Sequence, residues 1–400
     1  MYSTPKSNRL HIGIFGRRNS GKSSIINAIT GQSLAIVSDI PGTTTDPVYK
    51  SMEILPIGPC VLIDTAGIDD DSILGNERIK KTMKVFRKTD VAILVVDVHI
   101  GMGKFEEELI IRFKSAKIPF VIIVNKCDLK RSSELISKLS EKGYTYLEVS
   151  THTGQGIEDL KKNIIKIAPD DWASIPLVGD IVNPNDLIVM VCPIDSAMPR
   201  GRLILPQVQV LRDILDSDAS AVVVKDTELT DVLSKLASPP DLVITDSQVF
   251  ETVKEILPSE IPLTSFSTIY ARHKGDLNVF LEGVKVLNEL NDGDEILIAE
   301  ACTHHVQAED IGRSKIPTWL LNMTGKNLEF DITAGGDFPE DVSKYQMIIT
   351  CGGCMINRRE MMFRIETAVK SGVAITNYGI LIAYINGILE RVVEPFSQNK

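Results

Sequence analysis

No segment of this chain is apolar for the length that a bilayer core demands; the run Val91 to Val96 is only strand-sized. Met1 to Leu10 is polar and lacks the apolar core of a secretion signal, so a cytosolic protein is expected. A surplus of positive charge is missing as well. The 43 Lys and Arg against 53 Asp and Glu leave a net charge of −10 and a pI of about 5.3. A phosphate backbone asks for a basic face, so neither nucleic acid nor membrane is an expected partner. Cysteine is scarce: six residues, at 60, 127, 192, 302, 351 and 354. In a reducing compartment a tight group among them points to metal rather than to a disulfide. What remains is ordinary for globular domains: 400 residues with 44% hydrophobic content suffice for two or three buried cores.

Gly16-Arg17-Arg18-Asn19-Ser20-Gly21-Lys22-Ser23 fits G-x-x-x-x-G-K-S, the phosphate-binding P-loop. The apolar run Ile12, Ile14, Phe15 before it reads as a strand, and Ser24 to Ile29 after it reads as a helix. Glycines let the backbone wrap a phosphate, and the loop N–H groups with the helix N-terminus face the anion. Asn19, Ser20, Gly21, Lys22, Ser23 and Ser24 are thus the expected nucleotide cradle. Lys22 reaches the β- and γ-phosphates and Ser23 ligates Mg²⁺. In Ile40-Pro41-Gly42-Thr43-Thr44-Thr45-Asp46 a threonine can close over the γ-phosphate and complete the Mg²⁺ shell. Asp64-Thr65-Ala66-Gly67 is D-x-x-G, with Asp64 holding Mg²⁺ through water and the Gly67 N–H meeting the γ-phosphate.

Asn125-Lys126-Cys127-Asp128 is N-K-x-D. A carboxylate at Asp128 accepts from N1–H and the 2-amino group of guanine, a donor pair that adenine lacks. Val149-Ser150-Thr151 ends a strand where a backbone N–H meets the guanine O6. Four motifs in order, each at the carboxyl end of an apolar strand, make residues 1–168 a parallel α/β P-loop GTPase domain binding GTP and Mg²⁺. Lys22, Thr44, Asp64 and Gly67 are its expected catalytic residues.

Within that class the domain resembles the potassium-stimulated relatives of the tRNA-modification GTPase MnmE and of Era. The resemblance rests on Asn19 and on Ser38-Asp39-Ile40-Pro41-Gly42-Thr43-Thr44-Thr45-Asp46. It implies Thr44 beside Ser23 on Mg²⁺, and Asn19, Ser38, Ile40 and Thr43 facing a bound K⁺. Ile68 stands where Ras-like enzymes carry a water-orienting glutamine, so unassisted hydrolysis is expected to be slow.

Pro169-Asp170-Asp171-Trp172 and Pro176 mark a linker, after which strands and helices alternate again. No nucleotide or catalytic motif appears between Asp180 and Pro262, so residues 176–264 read as an association domain. In residues 265–400, Glu295 to Ala299 is a strand running into Glu300-Ala301-Cys302-Thr303-His304-His305. A second strand, Tyr345 to Thr350, ends in Cys351-Gly352-Gly353-Cys354. In an open parallel sheet the carboxyl ends of strands share one rim, so the two cysteine groups are expected to meet. Cys302, Cys351 and Cys354 with His304 suit zinc; they equally suit three irons of a 4Fe–4S cluster whose fourth iron takes a weaker ligand.

Taken whole, the chain resembles HydF, the GTPase family that matures di-iron hydrogenases: a G domain, a motif-free middle, then C-x-H and C-x-x-C. The resemblance implies three α/β domains with mostly parallel sheets, a middle domain that forms a homodimer, and a 4Fe–4S cluster on Cys302, Cys351 and Cys354. It also implies a scaffold or carrier for the di-iron precursor, taken from radical-SAM maturases and delivered to apo-hydrogenase. The family often has His directly before C-x-x-C; here that residue is Thr350. His304, His305, Glu300 or water are then the candidates for the fourth ligand. The competing expectation is a zinc-containing GTPase acting in RNA modification or ribosome assembly.

Overall fold

The computed structural model describes residues 4–31, 47–65, 81–169, 175–194, 203–301 and 310–397. It divides into two compact units, 1–174 and 175–400.

The first unit is built on a six-stranded sheet, ordered β2-β3-β1-β4-β5-β6. The strands are β1 Leu10–Phe15, β2 Val48–Ile54, β3 Gly58–Asp64, β4 Val91–Asp97, β5 Phe120–Asn125 and β6 Tyr146–Val149. All pairings are parallel except the edge pair β2–β3. Strand β4 shows why such runs read as unbroken apolar stretches. Val91, Ile93 and Val95 enter one core while Ala92, Leu94 and Val96 enter another on the opposite face. A strand covered on both faces needs apolar residues at every position. Helices Lys22–Thr30 and Ile157–Ile167 serve the first core, and Lys104–Ser115 and Ser133–Glu141 the second. Strand β1 lies between β3 and β4, so its carboxyl end opens at the point where the strand order reverses.

The second unit holds two all-parallel, four-stranded sheets. One is ordered β10-β9-β7-β8, from β7 Leu187–Val191, β8 Ser220–Val224, β9 Leu242–Thr245 and β10 Leu263–Ser265. The other is ordered β12-β11-β13-β14, from β11 Glu295–Ala299, β12 Glu329–Thr333, β13 Met347–Thr350 and β14 Ala374–Asn377. Helices bind the two sheets into one body. Phe266, Ile269 and Tyr270 of helix Phe266–Lys274 pack under the first sheet, while Ala271 of the same helix joins the core of the second. Between β10 and β11 the chain forms two successive helices, Phe266–Lys274 and Leu277–Lys285. The break falls at Gly275-Asp276, where the Asp276 side chain accepts from the N–H groups of Asn278 and Val279 and caps the second helix. On that helix Gly283 lies directly against β14: a Cβ there would stand 2.0 Å from the Ile375 carbonyl oxygen.

Candidate functional site

The P-loop turns sharply between β1 and its helix. Asn19 and Gly21 both take left-handed backbone, at φ 59° and 97°. Asparagine tolerates that region better than other side chains; glycine is required at 21 because a Cβ would stand 2.2 Å from Asn125 Nδ2. At Gly16 a Cβ would stand 2.4 Å from the Val95 carbonyl oxygen. Lys22 is buried, and its Nζ donates to the carbonyls of Gly16 at 2.9 Å and Arg17 at 2.7 Å. Ser23 Oγ donates to Asp64 Oδ2 at 2.5 Å, joining the P-loop to the end of β3. Burial raises the Asp64 carboxyl above the usual carboxylate range, against the opposing pull of the Ser23 hydroxyl and the charges of Lys22 and Lys50. Ser20 Oγ, Asp64 Oδ1 and Asn125 Oδ1 are buried without a hydrogen-bond partner among the described residues. Such atoms are costly unless a ligand completes them. A hydroxyl beside a carboxylate with an orphaned oxygen is an oxygen donor set of the kind Mg²⁺ takes.

The N-K-x-D motif starts at the end of β5, and Ser150 follows the end of β6. Asn125 Nδ2 donates to the Ser20 carbonyl at 2.9 Å, tying this motif to the P-loop. Lys126 has left-handed backbone, φ 67°, and its Nζ meets Asp97 Oδ2 at 2.5 Å. The Ser150 hydroxyl holds the exposed Asp128 carboxyl below its ordinary range. Asp97, the last residue of β4, thus anchors Lys126. A second link had no sequence signal. Arg17 Nε and Nη2 donate to the two carboxylate oxygens of the buried Glu106 at 2.7 and 3.0 Å. Glu106 also accepts from the Gly103 N–H at 2.8 Å, so the P-loop is clamped to the start of helix Lys104–Ser115. Thr43, Thr44, Ser38, Ile40, Gly67 and Ile68 lie outside the described residues.

In the second unit β11 and β13 are neighbours in register, Ala299 opposite Thr350, so their carboxyl ends share a rim. The Cys351 N–H donates to the Ala299 carbonyl at 3.3 Å, and Cys351 Sγ accepts from the Ala301 N–H at 3.0 Å. The strand that leads to Cys302 thus arrives against the thiol of Cys351. Cys302, His304 and His305 themselves lie outside the described residues. Among the described residues no three His, Cys, Asp or Glu gather as a metal site. Neither Cys351 nor Cys354 is in a disulfide. Burial raises both, Cys354 to about 11. Backbone N–H groups of Gly353 and Ala301 favour the thiolate of Cys351. Two soft, half-buried sulfurs, that of Cys351 supplied with N–H donors, fit an iron–sulfur group or zinc. Glu300 is buried and ion-paired to Arg313 at 3.0 Å.

Residues 177–275 match the hydrogen maturase F dimerization domain, and residues 278–395 match the hydrogen maturase F tetramerization domain. Together they account for more than half of the sequence. The chain belongs to the hydrogen maturase F family. Its second unit is built of that family's two oligomerisation domains, and its first is a GTPase domain, residues 11–126 matching a 50S ribosome-binding GTPase domain. The chain is 35% identical over 178 residues to the GTPase Der of Wolinella succinogenes, covering 42% of this chain and 37% of that one. It is 31% identical over 211 residues to the tRNA modification GTPase MnmE of Acetivibrio thermocellus, covering 51% of this chain and 45% of that one. It therefore spans less than half the length of these curated relatives. Among solved structures, a point variant of Aquifex aeolicus Era bound to GDP and AlF4⁻ overlays with a TM-score of 0.37 at 18% identity, covering 62% of this chain and 97% of that one. Among the described residues no helix is long and apolar enough to cross a membrane.

Proposed function

We propose that this chain is a cytosolic, GTP-hydrolysing scaffold or carrier in hydrogenase maturation. In this reading it holds a 4Fe–4S cluster and passes a di-iron precursor, received from radical-SAM maturases, to apo-hydrogenase. The observation that carries the proposal is the rim where Cys351 Sγ takes the N–H of Ala301, the residue before Cys302, in a chain of the hydrogen maturase F family.

In the G domain (1–168), Lys22 binds the β- and γ-phosphates, and the N–H groups from Asn19 to Ser24 cradle them. Asp128 selects guanine, helped by Asn125, Lys126, Ser150 and Thr151. Ser23, Thr44 and, through water, Asp64 would hold Mg²⁺; the ion would supply charge neutralisation on the phosphates. Gly67 would donate its N–H to the γ-phosphate. Asn19, Ser38, Ile40 and Thr43 would hold K⁺, which would supply positive charge near the transferring phosphoryl group. Residues 176–264 would form the homodimer and residues 265–400 would carry the cluster. There Cys302, Cys351 and Cys354 would be its thiolate ligands, with His304 as a replaceable fourth. The cluster would supply an iron open to ligand exchange. The chain's own part is to keep the thiols partly screened from solvent, donate N–H groups to sulfur and hold the rim on two paired strands.

The test is anaerobic reconstitution of the full chain and of Cys351→Ala, with iron, sulfide and zinc analysis, EPR, GTP turnover and activation of apo-hydrogenase measured side by side. The expected result is a cluster in the wild type, its loss in Cys351→Ala together with activation, and unchanged basal GTP turnover. A Cys351→Ala protein with full iron and full activation would falsify the proposal. A wild-type site holding one zinc and no iron would favour the RNA or ribosome reading.

A further inference from the structure

Two buried cations flank the cysteine loop. Arg364, on helix Arg358–Lys370, is 1% exposed, and Lys274, the last residue of helix Phe266–Lys274, is 2% exposed. Long cations seldom lie so deep, because taking an ammonium or guanidinium out of water costs about several kcal/mol. Backbone oxygens place Arg364: Nη1 donates to the Ala299 carbonyl at 3.3 Å and Nη2 to the Gly335 carbonyl at 2.6 Å. Its guanidinium lies 5.3 Å from the centre of the Phe338 ring. The Ala299 carbonyl is also the acceptor of the Cys351 N–H, so guanidinium and cysteine meet on one oxygen. Lys274 follows Tyr270 by one helical turn, and the Tyr270 Cβ is 4.0 Å from where a Cβ of Gly352 would stand. Cys354 packs in the same apolar cluster as Tyr270. The backbone on either side of Lys274 is tied to the residue that opens the helix after the loop: Arg358 Nη1 donates to the His273 carbonyl at 3.0 Å and to the Gly275 carbonyl at 2.9 Å. The buried carboxylate of Glu300 is paired with Arg313.

We propose that Lys274 and Arg364 form a cationic seat for an anionic cluster on the C-x-x-C loop and raise its reduction potential. The inference rests on the cluster reading above. A 4Fe–4S core on three thiolates is anionic when oxidised. It gains one further negative charge when a single electron, supplied by dithionite, takes the core from 2+ to 1+, with no bond made or broken. A fixed cation in a medium of low dielectric stabilises the more negative state more. Removing the cation therefore lowers the potential, whereas a residue that serves packing alone leaves it unmoved.

The experiment uses the full chain, reconstituted anaerobically, as wild type, Lys274→Met and Lys274→Arg. Iron and sulfide are counted, and reduction is followed by EPR through a mediated dithionite titration. In Lys274→Met, iron is retained and the reduced-to-oxidised ratio at fixed potential falls at least about tenfold, a shift of about 59 mV for one electron. Lys274→Arg keeps the charge and stays at the wild-type midpoint. Should Lys274→Met fail to hold iron, an iron-loaded Lys274→Arg protein with the wild-type midpoint supports the seat. Loss of iron in both variants overturns it. An iron-loaded Lys274→Met protein with an unmoved midpoint overturns the seat alone, leaving the cluster reading intact. A wild-type protein without iron overturns the cluster reading, and the seat with it.

Discussion

Acidification offers a direct test of how the second unit is closed at its entry. His273 sits on helix Phe266–Lys274, and its Nδ1–H donates to the carbonyl of Ile175 at 2.6 Å. Its neighbour Arg272 donates to the carbonyls of Pro176 and Leu177 and pairs with Asp180 at 2.6 Å. The two residues pin the first residues of the unit to its core. Burial pushes the imidazole down to about 4, from 6.5 when unfolded. Lys274 and Arg358 push the same way, while the Ile175 carbonyl and Asp213 oppose. Between these two pH values the unfolded chain binds a proton that the folded chain refuses, so stability rises with pH across the window. Above pH 6.5 the contribution is fully present; as pH falls toward 4 it is progressively lost. At 1.36 kcal/mol for each pH unit, the loss approaches about 3 kcal/mol. The assay is urea unfolding of wild type and His273→Gln at pH 7 and pH 4.5. The wild-type midpoint is expected to fall more steeply than that of the variant. Parallel declines in the two proteins would refute the assignment of this window to His273.

Three further outcomes follow from the G domain. Asp128→Asn is expected to exchange GTP for xanthosine triphosphate, because the amide reverses hydrogen-bond polarity toward the purine edge; turnover assays with both nucleotides check this. Hydrolysis is expected to run faster in K⁺ than in Na⁺, and Asn19→Ala to lose the difference; equal wild-type rates in the two salts would remove the proposed K⁺ site. Glu106→Ala breaks a paired carboxylate that is itself buried, and is expected to destabilise the G domain by about 2 kcal/mol, below the fully buried range because Arg17 is partly exposed and regains water. A urea midpoint unchanged from wild type would show that the Arg17 clamp contributes nothing.

The strand-end positions of the P-loop, of Asp64 and of Asn125 were legible because a parallel α/β sheet presents such motifs at the carboxyl ends of apolar strands. The meeting of the C-x-H and C-x-x-C strands was legible too, since parallel order alone brings carboxyl ends to one rim. What sequence did not reveal lies in contacts between distant residues without a motif. Arg17 and Glu106 belong to separate elements, and nothing local marks either as a partner. Arg364 sits in a charged helix, Arg-Arg-Glu-Met-Met-Phe-Arg-Ile-Glu, that reads as a solvated surface, yet it faces inward with Met361 and Ile365. The short strand β14, Ala374–Asn377, offers too few residues for a period to emerge, and β2 carries mostly exposed residues on a sheet edge.

Gly283 sets a limit on inheritance. In the middle of a helix a glycine is about 1 kcal/mol worse than alanine, so drift and design alike would favour replacing it. At this position the smallest side chain would drive the helix off β14, because the Ile375 carbonyl occupies that space. Strand β14 is hydrogen-bonded to β13, which leads into the cysteine loop. A methyl group added far from any thiol would thus be felt as a sideways push on the rim that carries Cys351 and Cys354. What descent must preserve at 283 is an empty volume, and variants there would disturb cysteine chemistry without touching a cysteine.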